Sequence, residues 1–298
     1  MAPRLYQLVE YADPLHFRDV VMDRLLQSEA ESCAQLGLIQ RMTANGYTPV
    51  SADELDQPLL LTVQDNRGVE LVALQTYKKA MLVSRGSPEA MSCLAESLAG
   101  RGWAGQGILG PTPSVETLAE RYAFLSRRPH RLVIRLRTFQ ISAVMLPHPV
   151  SGFMRQCIQS DRELLARFVG HFAAAIGESS EEDTLSTADR LIDGERIFFW
   201  MDPQPVAMAA WAGRTPNGVR INFVYTPPGF RCRGYASNLV ARLTQSLLDE
   251  GRKLCFLHTD QANPTSNSIY QKIGYRPVCD SERWEFGYAA GRNVTAHE

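Results

Sequence analysis

The stretch that decides the fold is Val219–Glu250, which reads VRINFVYT at 219–226, PPGF at 227–230 and RCRGYA at 231–236. Its first eight residues are rich in β-branched and aromatic side chains, and two prolines follow them, as is typical of the end of a strand. Leu239, Leu243 and Leu247 then recur every four residues, which predicts a helix. The stretch is therefore predicted to form a strand, a loop and a helix.

The beginning of this predicted helix is suited to holding an anion. A helix N-terminus carries unpaired N–H groups and a partial positive charge. Gly234 has no side chain and Ala236 has only a methyl group, so a ligand can approach the backbone closely. We therefore predict a phosphate-binding loop at 231–236.

Two motifs, in order and correctly spaced, resemble a known family. Arg-Cys-Arg-Gly-Tyr-Ala at 231–236 matches the Arg/Gln-x-x-Gly-x-Gly/Ala signature of the GNAT (GCN5-related) N-acetyltransferases, whose loop amides cradle the pyrophosphate of acetyl-CoA. NPTSNSIYQKIGY at 263–275 looks like the family's second motif, Asn-x-x-(Ser/Ala)-x-x-(Leu/Ile)-Tyr-x-Lys-x-Gly-(Phe/Tyr). A lone glycine-rich turn before a helix is a weaker signal than this pair.

The resemblance implies an α/β fold with a mixed sheet in a tandem arrangement. Residues 147–298 are expected to form a catalytic GNAT domain of the FR47-like type, and residues 1–146 a degenerate GNAT-like domain. The boundary is placed at Leu146–Gly152, where two prolines and a glycine interrupt regular structure. A length of 298 residues suits two domains of about 150 residues each.

The resemblance also implies a site with acetyl-CoA as co-substrate and no metal. The backbone N–H of Val224 would polarise the acetyl carbonyl, and Thr226, next to Tyr225, would pair with the pantetheine amide. Tyr270 matches the family's thiolate-protonating tyrosine, and packing is its alternative role. The remaining residues expected to bind the coenzyme are Arg231, Cys232, Arg233, Gly234, Tyr235, Ala236, Asn263 and Asn267, and a helix cap is the alternative role for Asn263.

The general base and the acceptor stay open. Histone-type members of the family carry a glutamate on the strand before the loop, whereas Arg220 occupies that position here and cannot act as a base. Asp260, His258, carboxylates of the acceptor-side helices or a water chain are the candidates. The expected activity is acetyl transfer to a primary amine of a small molecule or amino acid. The alternatives are a glycine-N-acyltransferase-like enzyme with a longer acyl donor and a non-catalytic acyl-CoA-binding regulator.

Composition narrows the partners and the compartment. A formal net charge of −1 argues against a general nucleic-acid or membrane-surface role. The six cysteines are scattered without a close pair, which predicts reduced thiols in a cytoplasmic protein and no metal cluster. A small-molecule amine is the expected partner, and the protein is expected to be a monomer or a homodimer.

The first 146 residues repeat the general order of a GNAT fold without its loop motif. After a short start, the chain is predicted to be helical as far as about Leu38, with strands at 59–63, 69–76 and 80–83 after it. Arg276–Val278 and Glu282–Phe286 are predicted as two separate closing strands. A second acyl-CoA site and a degenerate half that packs against the active one are both conceivable here, and the missing loop motif favours the degenerate half.

Overall fold

The computed structural model describes residues 5–44, 58–76, 79–177 and 183–287. Its contacts divide the chain into two compact units. The first comprises Met1–Arg137 together with Cys279–Glu298, and the second comprises Thr138–Val278. This division does not coincide with the sequence-based boundary at 146/147, because two long strands each contribute residues to both units.

The first unit is a mixed sheet with helices on both faces. The elements are β1 Gln7–Tyr11, α1 Pro14–Leu26, α2 Cys33–Thr43, β2 Leu59–Asp65, β3 Gly68–Gln75, β4 Met81–Val83, α3 Pro88–Gly100, β5 Gly107–Pro111, α4 Ser114–Ser126, β6 His130–Ile141 and β12 Arg276–Phe286. The strand order is β1-β2-β3-β4-β5-β12-β6, in which β4 and β5 are parallel. Leu60, Val72 and Leu74 face α1 and α2, whereas Leu61 and Leu71 face α3 and α4, as strand alternation requires.

Two segments of this sheet differ from the prediction. Residues 7–11, in the start that precedes the predicted helix, form a strand, because they pair with β2 from Gln7 opposite Gln64 to Tyr11 opposite Leu60. The C-terminal strand is continuous from Arg276 to Phe286 rather than split in two. Because residues 281–285 pair with β5, the strand continues through the polar residues that separate the two predicted segments.

The second unit is also a mixed sheet covered on both faces. The elements that follow β6 are β7 Phe153–Gln156, α5 Arg162–Ala175, α6 Thr184–Asp193, β8 Ile197–Met201, β9 Pro205–Ala212, β10 Gly218–Tyr225, α7 Tyr235–Asp249, β11 Leu254–Asp260 and α8 Pro264–Ile273. The strand order is β6-β11-β10-β9-β8-β7, and β10 is parallel to β11 but antiparallel to β9. The helices α7 and α8 cover one face, and α5 and α6 cover the other.

Residues 219–250 form the strand, loop and helix predicted for them. Leu239, Val240, Leu243 and Leu247 of α7 are buried against Val219 and its neighbours on β10. Burying each of these side chains contributes about 1.5–3 kcal/mol, so the helix is held chiefly by its apolar face. The predicted mixed α/β class is confirmed. No helix of the described residues is long and apolar enough to cross a bilayer.

Candidate functional site

The strand β10 carries an irregularity shortly before the loop. Asn222 lies opposite Ala210 of β9, but Tyr225 lies opposite Met208, so β10 has one residue more than its partner. Phe223 adopts a φ of 51°, which is unusual for a residue other than glycine. The alternation of the strand therefore shifts here. Val224 packs toward α7 and α8, whereas Tyr225 packs toward α5.

The two parallel strands pair only at their beginnings. Gly218, Val219 and Arg220 lie opposite Leu254, Cys255 and Phe256, and no β-ladder pairing of β10 with β11 continues beyond them in the described residues. The backbone from Ile221 to Tyr225 therefore has no ladder partner on its β11 side. Unpaired backbone groups in a sheet are a template for an added extended segment.

The loop between β10 and α7 ends in a bare helix N-terminus. Cys232 and Gly234 have φ angles of 60° and 81°, and Gly234 precedes the first residue of α7. No side chain of the described residues caps this helix. The residues from Arg231 to Gly234 are exposed, so the first N–H groups of α7 are available to an anion.

A carboxylate that sequence reasoning missed supports the loop from behind. Asp202, in the turn between β8 and β9, accepts hydrogen bonds from Ser151 Oγ and Tyr235 Oη, both at 2.5 Å. These bonds, first that of Ser151, and the nearby Arg233 hold the pKa of Asp202 below its usual range. Because the Tyr235 side chain is hydrogen-bonded to Asp202, Tyr235 offers its backbone N–H to the proposed anion site.

The helix α8 brings the remaining predicted residues to the end of β11. Asn263 caps the helix, because its Oδ1 accepts the N–H of Ser266 at 3.0 Å. Asn267 donates from Nδ2 to the carbonyl oxygens of Asp260 at 3.0 Å and Asn263 at 2.7 Å. Tyr270 is 7% exposed and packs in the same apolar cluster as Val224. Burial raises the pKa of Tyr270 to about 12.

Two oxygens near these elements lack partners within the described residues. Thr226 Oγ1 and Asn267 Oδ1 are both buried without a hydrogen bond. A buried polar atom without a partner is costly in a finished structure, so each is suited to a ligand group. Together with the bare N-terminus of α7 and the unpaired edge of β10, they fit an elongated phosphate-bearing coenzyme. No group of His, Cys, Asp or Glu side chains in the described ranges is arranged to hold a metal ion.

The face of the sheet opposite α7 carries a polar group beside the strand gap. Thr138 Oγ1 lies 2.9 Å from His258 Nδ1. Burial, and then the Arg220 guanidinium, lower the pKa of His258 to about 3. His258 is therefore neutral at physiological pH, and its low pKa makes it a weak base.

This lowered pKa predicts an acid-sensitive fold. The unfolded chain binds a proton on His258 near its ordinary pKa of 6.5, whereas the folded chain binds it only near 3. The stability that depends on the neutral ring is complete above pH 6.5 and is lost as the pH falls toward 3. In wild type, the urea concentration at the unfolding midpoint should fall as the pH is lowered from about 7 to about 5, a range in which most carboxylates remain ionised. In His258→Gln this fall should be smaller. The exposed His171→Gln is the control, and an equal decline in both variants would contradict the assignment.

The first unit has the same strand–loop–helix order but a closed loop. The loop 84–87 joins β4 to α3, just as the loop that ends at Gly234 joins β10 to α7. Ser87 Oγ caps Ala90 N at 3.2 Å, and the Glu70 carboxylate accepts the N–H of Ser87 at 3.1 Å. A side chain of this unit thus already supplies the anion for the N-terminus of α3.

The strand gap is also closed in the first unit. A Cβ at Gly110 of β5 would lie 2.7 Å from the Val83 carbonyl oxygen, so the end of β4 is pressed against β5. This contact leaves no space for an inserted arm. At this segment of the first unit, the helix N-terminus and the end of the strand are therefore both occupied by the chain itself.

The helices α5 and α6 border an open depression. Polar and charged residues line it together with apolar ones: Glu163, Arg167, His171 and Thr184, with Ala166, Gly170 and Leu185. The His171 ring lies 6.2 Å from that of Tyr225, so the depression lies on the face of the sheet that also carries Tyr225. The resemblance implies an acceptor pocket in this two-helix region.

A family model matches part of this chain, and several solved structures have a similar fold. Residues 200–284 match the family model described as FR47-like protein. A GCN5-related N-acetyltransferase from Sphaerobacter thermophilus is 14% identical with a TM-score of 0.61, and the match covers 94% of this chain and 95% of that one. A Drosophila protein is 13% identical with a TM-score of 0.65, over 94% of this chain and 98% of that one.

A tandem GNAT protein from the clavulanic acid biosynthesis pathway is 10% identical with a TM-score of 0.54, over 96% of this chain and 100% of that one. Comparison with curated protein sequences gave no significant match. The predicted tandem arrangement is confirmed by these similarities in fold. The chain therefore has a tandem GNAT fold, and residues 200–284 in its C-terminal half resemble the FR47-like family.

Proposed function

We propose that the chain is an acyl-CoA-dependent N-acyltransferase that moves acetyl from acetyl-CoA directly to a primary amine of a small molecule or amino acid. The observation that carries the proposal is the bare N-terminus of α7 behind Gly234, directly after a strand whose pairing with β11 stops at Arg220. The N-terminus of α7 receives the pyrophosphate, and the unpaired edge of β10 receives the extended pantetheine arm. At the corresponding β4–loop–α3 segment of the first unit, the helix is capped and the end of β4 packs against β5, so we assign one coenzyme to each chain.

Coenzyme binding is assigned mainly to backbone groups. The N–H groups from Cys232 to Ala236 hold the pyrophosphate, and the exposed Arg233 adds positive charge. Arg231 donates from Nε to the Thr226 carbonyl oxygen at 3.0 Å, so it holds the loop in shape. Thr226 Oγ1 and Asn267 Oδ1 accept hydrogen bonds from the arm. When bound, acetyl-CoA supplies an activated acetyl thioester.

Val224 and Tyr270 are assigned to the reacting end. The Val224 N–H donates a hydrogen bond where negative charge develops on the acetyl oxygen. Tyr270 donates a hydrogen bond to the departing sulfur. Because its pKa is about 12, well above the ~8.5 of a thiol, complete proton transfer from this phenol to a thiolate is unfavourable. Tyr270 therefore stabilises the thiolate chiefly as a neutral donor.

The amine must lose a proton, and neither side-chain candidate at the end of β11 suits that task. His258 has a pKa of about 3, so it takes a proton from an ammonium group only weakly. The Asp260 carboxylate accepts the N–H of Ala262 at 2.8 Å and so caps the turn after β11. We assign this proton to water that connects the acceptor with bulk solvent.

An acceptor panel tests the proposal. The full chain is incubated with acetyl-CoA and individual amines, and free CoA and acylated amine are both quantified. Equal amounts of the two products, dependent on the amine, are expected. Faster turnover with a longer acyl-CoA than with acetyl-CoA would identify the longer acyl-CoA as the donor. Stoichiometric coenzyme binding without turnover of any amine would support a regulator and contradict the enzyme.

A further inference from the structure

Arg220 stands out among the charged side chains near the proposed reacting end. It is the third residue of β10, is half-buried and is the last residue before β10 and β11 separate. Neighbouring residues Val219 and Ile221 pack toward α7, so Arg220 lies on the opposite face. That face also carries Asn222 and, on β11, His258.

Within the described residues, Arg220 has neither an acidic partner nor a hydrogen bond. The guanidinium lies close to the backbone of Gly213, where a Cβ would be 3.7 Å from its Cζ. Its electrostatic effect falls on His258, a ring that is neutral at physiological pH, so no opposite charge compensates it. Partly buried arginines are normally paired, because removing a charge from water is costly.

A second observation points to a ligand on the same face. Asn222 Oδ1 is buried without a hydrogen-bond partner in the described part of the chain. Asn222 is two residues beyond Arg220 and two residues before Val224, on the strand that leads to the proposed acetyl position. Hence a half-buried cation and an unsatisfied polar acceptor lie along one strand face beside the unpaired edge of β10. An amine that also carries an anion complements both, since its N–H groups suit Asn222 Oδ1 and its anion suits Arg220.

We propose that the acceptor is an amine that carries an anionic group, a carboxylate or a phosphate, which pairs with Arg220. This inference rests on the proposed acyl transfer and adds the charge class of its acceptor. Arg220 acts as a specificity-determining residue at the position where the resemblance leads one to expect a glutamate base. A planar guanidinium fork suits both anions, because each offers two oxygens for paired hydrogen bonds.

Matched acceptors test the pairing with the full chain. Amino acids are compared with their carboxamides, and phosphoethanolamine with ethanolamine, in steady-state acylation with acetyl-CoA. The wild-type chain should prefer the anionic member of at least one pair, and the preferred pair tells a carboxylate from a phosphate. Because hydrogen bonds to charged groups are worth more than neutral ones, Arg220→Met should lower kcat/KM for the anionic acceptor about 10- to 100-fold. The uncharged member should change little, and Arg220→Lys should fall in between.

Controls separate the pairing from general effects. Arg242→Met removes an exposed arginine from α7, on the other face of the sheet, and should leave the preference intact. Acetyl-CoA affinity, measured by calorimetry, should be the same in all variants. An Arg220→Met chain that keeps the anionic preference would overturn the pairing while acyl transfer stands, as would a wild-type chain that prefers uncharged amines. Coenzyme binding without turnover of any amine would overturn the proposed function and the pairing together.

Discussion

Replacing Gly234 by Asp should abolish measurable acetyl-CoA binding. Gly234 has a φ of 81°, and a Cβ there would lie 3.0 Å from Val150 Cγ1, so any side chain is strained. The carboxylate would also face the pyrophosphate, and two like charges about 4 Å apart repel by about 4 kcal/mol near a protein surface. Affinity measured by calorimetry should therefore fall by at least ~100-fold.

Two variants separate these causes. Gly251→Ala introduces a Cβ at another left-handed position, with φ of 94° and no atom within 4 Å, so it imposes backbone strain away from the loop. It should lower stability and leave coenzyme affinity unchanged. Gly234→Ala adds strain and the contact with Val150 without charge, and should give an intermediate loss. Tight acetyl-CoA binding by Gly234→Asp would place the coenzyme elsewhere.

Replacing Tyr270 by Phe should lower turnover far more than coenzyme affinity. Only a hydroxyl is removed, so the packing with Phe139 and Tyr275, whose rings lie 6.3 and 6.0 Å away, should survive. A donor aimed at developing charge typically contributes about 10²–10³-fold to kcat. Single-turnover acylation with acetyl-CoA bound in advance measures this step without product release.

Tyr275→Phe is the matched control. Tyr275 is fully buried, and its hydroxyl lies 2.8 Å from Thr244 Oγ1 rather than at the proposed reacting end. Its loss should reduce the free energy of unfolding by about 1–3 kcal/mol and leave the chemical step unchanged. Equal single-turnover rates for wild type and Tyr270→Phe would show that Tyr270 only packs.

The local features of the candidate site could be predicted from the sequence. The spacing of Leu239, Leu243 and Leu247 predicted α7, and Asn263 before Pro264 suggested the cap that the structure contains. Both features depend on neighbours in sequence. The similarity in fold to a tandem GNAT protein likewise agrees with the tandem arrangement that the resemblance implied.

The parts that depend on distant residues were not predicted. Asp202 supports the loop through Tyr235, which lies 33 residues away in sequence. Nothing in the letters Asn222 to Tyr225 marks the extra residue of β10, because the left-handed position falls on Phe223 rather than on a glycine. The strand β1 was not predicted because its pairing partner, β2, is distant in sequence.

Hydrogen–deuterium exchange of the full chain, with and without acetyl-CoA, tests the central claim most directly. The coenzyme should protect backbone amides of 224–237 at the end of β10, the loop and the first turn of α7. The corresponding stretch of the first unit, 82–90, should exchange at the same rate in both samples, because Glu70 and Ser87 already occupy that helix N-terminus. Protection at 82–90, or none at 224–237, would contradict the assignment of the coenzyme site.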